Sequence, residues 1–359
     1  MAQSLGEGSI PSTAEARSAK LQSGDVQSLE GKMRRRDFTA GLGVGAVWPL
    51  FALADPPVLV PLVGFLNSQS ASDYQRQLAA FRDALAEAGY VDGQNVNIEY
   101  RWADNHTDRL PAMMAELVNK KASVIAATST PAALAAKAAD TKIPIVFETA
   151  FDPIELGLVT NLNKPGENVT GVTQLNSLVT PKRLELLHEL VPRASVIALL
   201  VNPTNPALAG TETNEAMSAA KGFGVTLHVL NASTEGDFEA TFAKLTELGA
   251  GGLVIGADPL FTSRSARLGE IAARHAMPAV FENRSFAAAG GLASYGGNLI
   301  DSYQLTGKYV ARILKGEKPA DLPVQQGTKL ELFINAGSAK ALGITVPLPL
   351  LGRADEVIE

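Results

Sequence analysis

Two six-residue runs, IPIVFE at 143–148 and MPAVFE at 277–282, stand 134 residues apart in a chain of 359. A second pair, VGFLN at 63–67 and ALLVN at 198–202, recurs at an offset of 135. Each run is a short apolar stretch ending in a polar residue, the pattern of a strand buried on both faces of a parallel sheet. A chain that repeats such strands at long and nearly equal spacing is expected to fold as two similar lobes. The spacing is far too long for a solenoid of short repeats.

The stretches between these runs fill in each lobe. Apolar runs at 58–66, 95–102, 124–127 and 143–147 read as strands. Leu78, Phe81, Leu85 and Ala88 share one face of a helix over 73–88 that Gly89 ends, and Leu110, Met114, Leu117 and Val118 mark the next. Thr130-Pro131 caps and opens another. The alternation then starts again, with strands at 196–201, 225–230, 253–255 and 279–281 and helices over 211–221, 238–248 and 265–275. Such a succession of βαβ units gives an α/β fold, two Rossmann-like lobes with parallel sheets.

The tail adds a small-residue strand at 290–296, a helix over 300–314, a strand at 330–334, a last helix and a wrap over 347–351. An extra strand–helix–strand after two complete lobes implies that the chain returns to lobe one and crosses back. Lobe one is then 55–173 plus about 296–322, and lobe two 174–295 plus about 323–359. Three segments form the hinge, with 170–173 and the stretch near Gly296-Gly297 as its expected pivots, and the cleft between the lobes is where a ligand binds.

The first 54 residues belong to neither lobe. Residues 1–32 are polar and aperiodic, a disordered leader or a start placed upstream of the true one at Met33. From Met33, Arg34-Arg35-Arg36-Asp37-Phe38 precedes an uncharged run over 39–54 that ends in Ala52-Leu53-Ala54. A basic segment, a short apolar run and a small-x-small site make an export signal, and the run is too short for a permanent membrane span. The arginine pair before x-Phe resembles the twin-arginine export signal, with an ordinary secretory signal or an uncleaved anchor as the alternatives. A periplasmic protein, monomeric and without a cofactor, is expected.

At the segments EAGYVDGQNV (87–96), ATSTPAALAAK (127–137), FDPIELGLV (151–159), NKPGENVTGV (163–172), GGLASYG (290–296), LKGEKPADLPV (314–324) and AKALGITVP (339–347), the chain resembles the ABC-transporter substrate-binding proteins of the TrpX-like, tryptophan-binding group. The resemblance covers about 58–359. It implies a type I periplasmic-binding fold, a three-segment hinge, a ligand closed between the lobes, and delivery to an ABC permease and its ATPase without catalysis. The group's best-known ligands are aromatic amino acids.

Composition removes most other functions. There is no cysteine, so no disulfide, thiolate metal site or cysteine nucleophile. The four histidines, His106, His188, His228 and His275, include no pair spaced as local metal ligands. A net charge of −6 gives no electrostatic reason to bind nucleic acid. The chain lacks G-x-S-x-G, H-E-x-x-H and a Walker A loop. A cleft enzyme on the same scaffold, a transferase or isomerase, is the alternative to a binding protein.

Ligands of parallel sheets lie beyond the carboxyl ends of the strands, which selects candidates in each lobe. Lobe one offers Asn67, Ser68 and Ser70, then Thr128, Ser129 and Thr130, then Glu148, Phe151 and Asp152; lobe two offers Asn202, Asp258 and Glu282. Thr128 to Thr130 stand at a helix N-terminus suited to a carboxylate, although Thr130 could be only the cap. Asp258 before Pro259 could likewise be only a cap. Glu148 and Glu282, if buried, need a cationic partner, either a ligand ammonium or a basic side chain such as Arg284. Tyr74 could stack on a ligand ring, and Trp102 is expected to pack at its strand end. A polarised cleft of this kind suits a zwitterion such as an amino acid, and a more cationic ligand if Glu148 also faces it.

Overall fold

The structure is a computed structural model describing residues 60–359 except Leu175 and Thr328. The leader and export-signal readings for 1–54 lie outside the described residues. Lobe one opens with β1 (Leu62–Asn67), α1 (Gln75–Glu87), β2 (Asn97–Trp102), α2 (Leu110–Asn119), β3 (Val124–Ala127), α3 (Thr130–Ala138), β4 (Ile145–Thr149) and β5 (Val169–Thr173). Lobe two follows with α4 (Thr180–Leu190), β6 (Val196–Val201), α5 (Pro206–Phe223), β7 (Thr226–Asn231), α6 (Phe238–Glu247) and β8 (Leu253–Ile255). It continues through α7 (Pro259–Ser263), α8 (Ser265–Arg274), β9 (Ala279–Phe281), α9 (Arg284–Ala288) and β10 (Ala293–Gly297). The chain ends with α10 (Leu299–Leu314), β11 (Gln325–Gln326), β12 (Leu330–Asn335), α11 (Ala336–Ala341), α12 (Leu348–Arg353) and β13 (Glu356–Ile358).

The sequence repeat becomes a topological one. Sheet one runs β11-β5-β4-β3-β1-β2 and sheet two β13-β12-β10-β9-β8-β6-β7, so the order 2-1-3-4-5 occurs in both. All pairs of sheet one are parallel. In sheet two β12 is antiparallel to β10. The chain leaves lobe two from the end of β10 and re-enters it beside that end, so the returning strand has to run the opposite way.

Each sheet is covered on both faces, and its central strands are accordingly continuous apolar runs. In lobe one Phe65, Phe81 and Tyr303 fill one face and Met114, Leu117 and Phe147 the other. α10, although it follows lobe two in sequence, lies on lobe one against α1. The approach is close enough that a Cβ on Gly307 would stand 2.5 Å from the Phe81 carbonyl oxygen; only glycine fits there. Trp102 packs in this core, its ring 5.1 Å from that of Phe65.

Three of the differences from the sequence expectation bear on the hinge and the site. The segment 170–173 is β5, paired with β4 along its length, so the first crossing begins at Gln174. The third crossing falls after Gly327 instead of near 322, because Gln325 and Gln326 still pair with Val172 and Thr173. Helix α4 was not expected at all: it has no side-chain N-cap, and its buried face carries Arg183 among leucines.

Candidate functional site

Both sheets point their carboxyl ends at the same space, and the paired lobes build that space with the same device. Asn67 ends β1 and Asn202 follows β6. Asn67 Nδ2 donates to the Thr128 carbonyl oxygen at 2.7 Å and Thr128 Oγ1 at 3.0 Å, while Asn202 Nδ2 donates to Asp258 Oδ1 at 3.1 Å. Each asparagine also accepts, through Oδ1, the amide two residues on. The repeated asparagine thus braces the loop after the third strand of its own lobe. Asn67 and Asn202 are positioning residues and do not line the chamber.

Of the other candidates, Thr128, Ser129, Thr130, Glu148, Phe151, Asp258 and Glu282 line one chamber between the lobes. Ser68, Ser70 and Asp152 do not. The Ser68 amide donates to Ser129 Oγ at 3.2 Å, Ser70 Oγ donates to Asp73 Oδ2 at 2.6 Å, and Asp152 Oδ1 accepts the Ile154 amide in a turn. Bonds to Ser129, Asp73 and the Ile154 amide engage these three, which their position after a strand could not reveal.

The lobe-one wall is a helix N-terminus. Ser129, not Thr130, is the N-cap of α3: its Oγ accepts the Ala132 amide at 3.4 Å. Thr130 Oγ1 instead pairs with Thr149 Oγ1 at 2.8 Å. Pro131 has no N–H and the Ala132 amide is taken by Ser129 Oγ, so the Thr130 amide and the Ser129 hydroxyl are the donors this helix N-terminus can offer an anion. Tyr74 and Phe151 supply aromatic surface beside it.

The lobe-two wall is acidic, with Asp258 and Glu282, and Glu148 of β4 adds a carboxylate from lobe one. Among the described residues the chamber wall carries three carboxylates, Glu148, Asp258 and Glu282, and no lysine, arginine or histidine. Asp258 caps α7 and is saturated: Oδ1 accepts Asn202 Nδ2 and the Leu260 amide, and Oδ2 accepts Asn205 Nδ2 at 2.6 Å. Burial still pushes its carboxyl up to about 6. Glu282 accepts Thr262 Oγ1 at 2.6 Å on Oε1, whereas its Oε2 has no hydrogen-bond partner. Burial raises it above the ordinary carboxylate range, opposed by Arg183. Burial pushes Glu148 up to about 8, with the Gln174 hydrogen bond opposing the shift and Glu282 adding to it.

The cationic partner of Glu282 is not Arg284, which turns outward to Glu356. It is Arg183 of α4, fully buried, with Nη2 3.6 Å from Glu282 Oε2. That contact is too long for a hydrogen bond, and Nη2 is otherwise unpartnered. Nε of Arg183 donates to the Tyr295 carbonyl at 2.8 Å, and Nη1 to Thr180 Oγ1 at 3.2 Å. Behind it the buried Glu212 accepts Thr180 Oγ1 at 2.8 Å and the Ala257 amide at 2.9 Å, and burial pushes its carboxyl up to about 7.

The sequence reading also missed Gln174, Asn176 and Thr262 in the chamber wall. Gln174 and Asn176 sit on the first crossing, a placement visible only once the end of β5 is known. Away from the chamber the lobes touch at its mouth. Arg264 Nη1 lies 2.7 Å from Asp73 Oδ2, and Ser263 Oγ donates to Gln69 Oε1 at 3.1 Å. Among the described residues no three His, Cys, Asp or Glu side chains come together as a metal site, and no helix is long and apolar enough to cross a membrane.

Comparison with known proteins matches this architecture. The family model for ABC transporter substrate binding proteins covers residues 67–358. The tyrosine-binding protein of Clostridioides difficile (strain R20291) is 30% identical over 265 residues, 73% of this chain and 75% of that protein. A solved ABC domain from Streptococcus pneumoniae in complex with L-Trp is 28% identical with a TM-score of 0.74, covering 83% of this chain and 99% of that one. A conserved domain protein from Vibrio cholerae O1 biovar El Tor strain N16961 gives 27% identity and a TM-score of 0.76, over 83% of this chain and 99% of that one. Two α/β lobes about a three-segment crossing, with a chamber between them, are the type I periplasmic-binding fold, and the chain belongs to the ABC transporter substrate-binding protein family, a family of binding proteins rather than enzymes.

Proposed function

We propose that this protein captures an aromatic amino acid between its lobes and presents it to the permease and ATPase of an ABC importer. The observation that carries the reading is the make-up of the chamber, with the α3 N-terminus and hydroxyls on the lobe-one wall, Asp258 and Glu282 on the lobe-two wall, Glu148 adding a carboxylate from lobe one, and Tyr74 and Phe151 beside them. The ligand carboxylate lies toward Thr128, Ser129 and Thr130, the ammonium toward the acidic wall, and the side-chain ring against the aromatic surface. The tyrosine and L-Trp ligands of the two relatives support the aromatic class. The arginine pair at Arg35-Arg36 and the small-x-small site at Ala52-Leu53-Ala54 support export to the periplasm by the twin-arginine route.

A thermal-shift panel of amino acids, their amides, their deaminated acids and simple polyamines tests the ligand. A ligand at 100 times its Kd stabilises the folded state by about 2.7 kcal/mol, a rise of roughly 5 °C or more for domains of this size. Tyrosine, tryptophan or phenylalanine is expected to give that rise and the deaminated acids much less. Equal stabilisation by the deaminated acids removes the ammonium half of the reading, and a response confined to polyamines removes the amino acid altogether.

A further inference from the structure

We propose that Glu148 and Glu282 together form one ammonium site shared between the lobes and held at the hinge by the side chains of Gln174 and Asn176. The inference rests on the amino-acid reading above and assigns the charge within it. Asp258 is the obvious anionic partner from sequence, but its two oxygens already accept three donors. Glu148 and Glu282 have capacity left. They stand at the carboxyl ends of β4 and β9, Glu148 one residue before the end and Glu282 one after it, and so enter the chamber from similar places in opposite lobes.

The hinge side chains connect the two acids. Gln174 Nε2 donates to Glu148 Oε1 at 2.9 Å, and Asn176 Nδ2 donates to Gln174 Oε1 at 2.8 Å. Asn176 also stands beside Glu282 and favours its ionised form, while its Oδ1 accepts the Gly297 amide of the second crossing at 2.8 Å. Two of the three crossings are therefore tied to the acidic pair. A cation between the carboxylates satisfies one group from each lobe and draws both onto the hinge amides.

Without a cation the pair is unfavourable. Two buried carboxylates that repel each other retain a proton, and Glu148, pushed up to about 8, is where it resides at neutral pH. The other ionisable groups that face the pair are Tyr74, Tyr303, Asp258, Glu212 and Arg183. Only Arg183 is cationic, and it lies on the Glu282 side. An incoming ammonium displaces the Glu148 proton, which leaves to the buffer. Affinity then rises with pH up to about 8, by at most tenfold per unit, because proton and ammonium compete for one place.

Titration calorimetry of the exported form with L-tyrosine and L-tryptophan, near pH 7 in phosphate and in Tris, counts the protons. The expected result is release of about one proton per ligand and a Kd that falls roughly 20-fold from pH 6 to pH 7.5. The deaminated analogue 3-(4-hydroxyphenyl)propanoate should release none. Glu148→Gln should abolish the release and flatten the pH profile, and Gln174→Met should move the profile's midpoint upward. If tyrosine or tryptophan binds with no proton exchange in the unmutated protein, or Glu148→Gln releases as much as the unmutated protein, the shared site is wrong while the amino-acid reading stands. If neither amino acid binds, both fall together.

Discussion

The contact between lobes at the chamber mouth depends most on one side chain. Arg264, on lobe two, reaches Asp73 of lobe one at 2.7 Å through Nη1, and its Nε holds Glu235 of its own lobe at 2.7 Å. The pair is partly shielded, with side-chain exposures of 31% for Arg264 and 18% for Asp73. A hydrogen bond between charged groups contributes about 1.5–3 kcal/mol when buried, and exposed ion pairs about 0.2–1 kcal/mol. Partial exposure places this one near 1 kcal/mol, a factor of roughly five in the closed-to-open ratio. Arg264→Gln should therefore shift that ratio about fivefold toward open and weaken apparent affinity by no more than the same factor. Single-molecule energy transfer between dyes on the two lobes reads the ratio directly, with and without saturating amino acid. The shift should shrink in high salt, where such pairs are screened. Arg267→Gln is the matched control, because among the described residues Arg267 pairs only with Glu235, Glu239 and Glu270 of its own lobe. An unchanged ratio in Arg264→Gln, or an equal change in Arg267→Gln, would refute the assignment of closure energy to this bridge.

Three further outcomes follow from the buried charges and the leader. Glu148, Glu212 and Asp258 have folded-state values pushed up to about 8, 7 and 6, all by burial. Each contributes stability that is full below its unfolded pKa and is lost as pH rises through its folded one, so ligand-free stability should fall from pH 5 to 8. The slope is on the order of 1.4 kcal/mol per unit for each group as it titrates, and a flat urea-melt series over that window would count against it. Arg183→Met leaves Glu282 and Glu212 buried without their cation and should cost about 3–5 kcal/mol near pH 8, with a smaller loss at pH 5; equal losses at both pH values would mean that Arg183 acts by packing alone. Replacing Arg35 and Arg36 by lysine should stop the mature protein from reaching the periplasm while the purified form still binds ligand, and unchanged export would exclude the twin-arginine route.

The parts of the fold legible in the sequence are those where burial alone dictates residue type. β6, β8 and β9 occupy the expected residues, since a strand buried on both faces admits only apolar side chains and its ends are marked by the first polar ones. Helix α4 was hidden because its buried face includes Arg183, and a guanidinium in a sequence reads as solvent-facing. The same blindness concealed the partner of Glu282. Asp258 and the α3 N-terminus were recognisable from cap chemistry next to proline, although the cap proved to be Ser129. Gln174 and Asn176 carry no local signal. Their importance comes from hydrogen bonds to residues brought near by the lobes, and polar hinge side chains look like any loop.

The position of α10 governs the order in which the molecule can be made. This helix covers a face of sheet one against α1, yet more than 200 residues separate the two in the chain. As synthesis proceeds, the first five strands emerge with Val124, Ala126 and Val146 of β3 and β4 left uncovered on that face until residue 314 has been added. β11, which closes the edge beside β5, comes later still. The half read first is thus finished near the end, and contacts of such long separation form slowly. A fragment stopping at Asn298 would hold nearly all the strands of both lobes and still present an open apolar sheet. Neither lobe can be excised as a self-sufficient piece, and folding is an event of the whole chain.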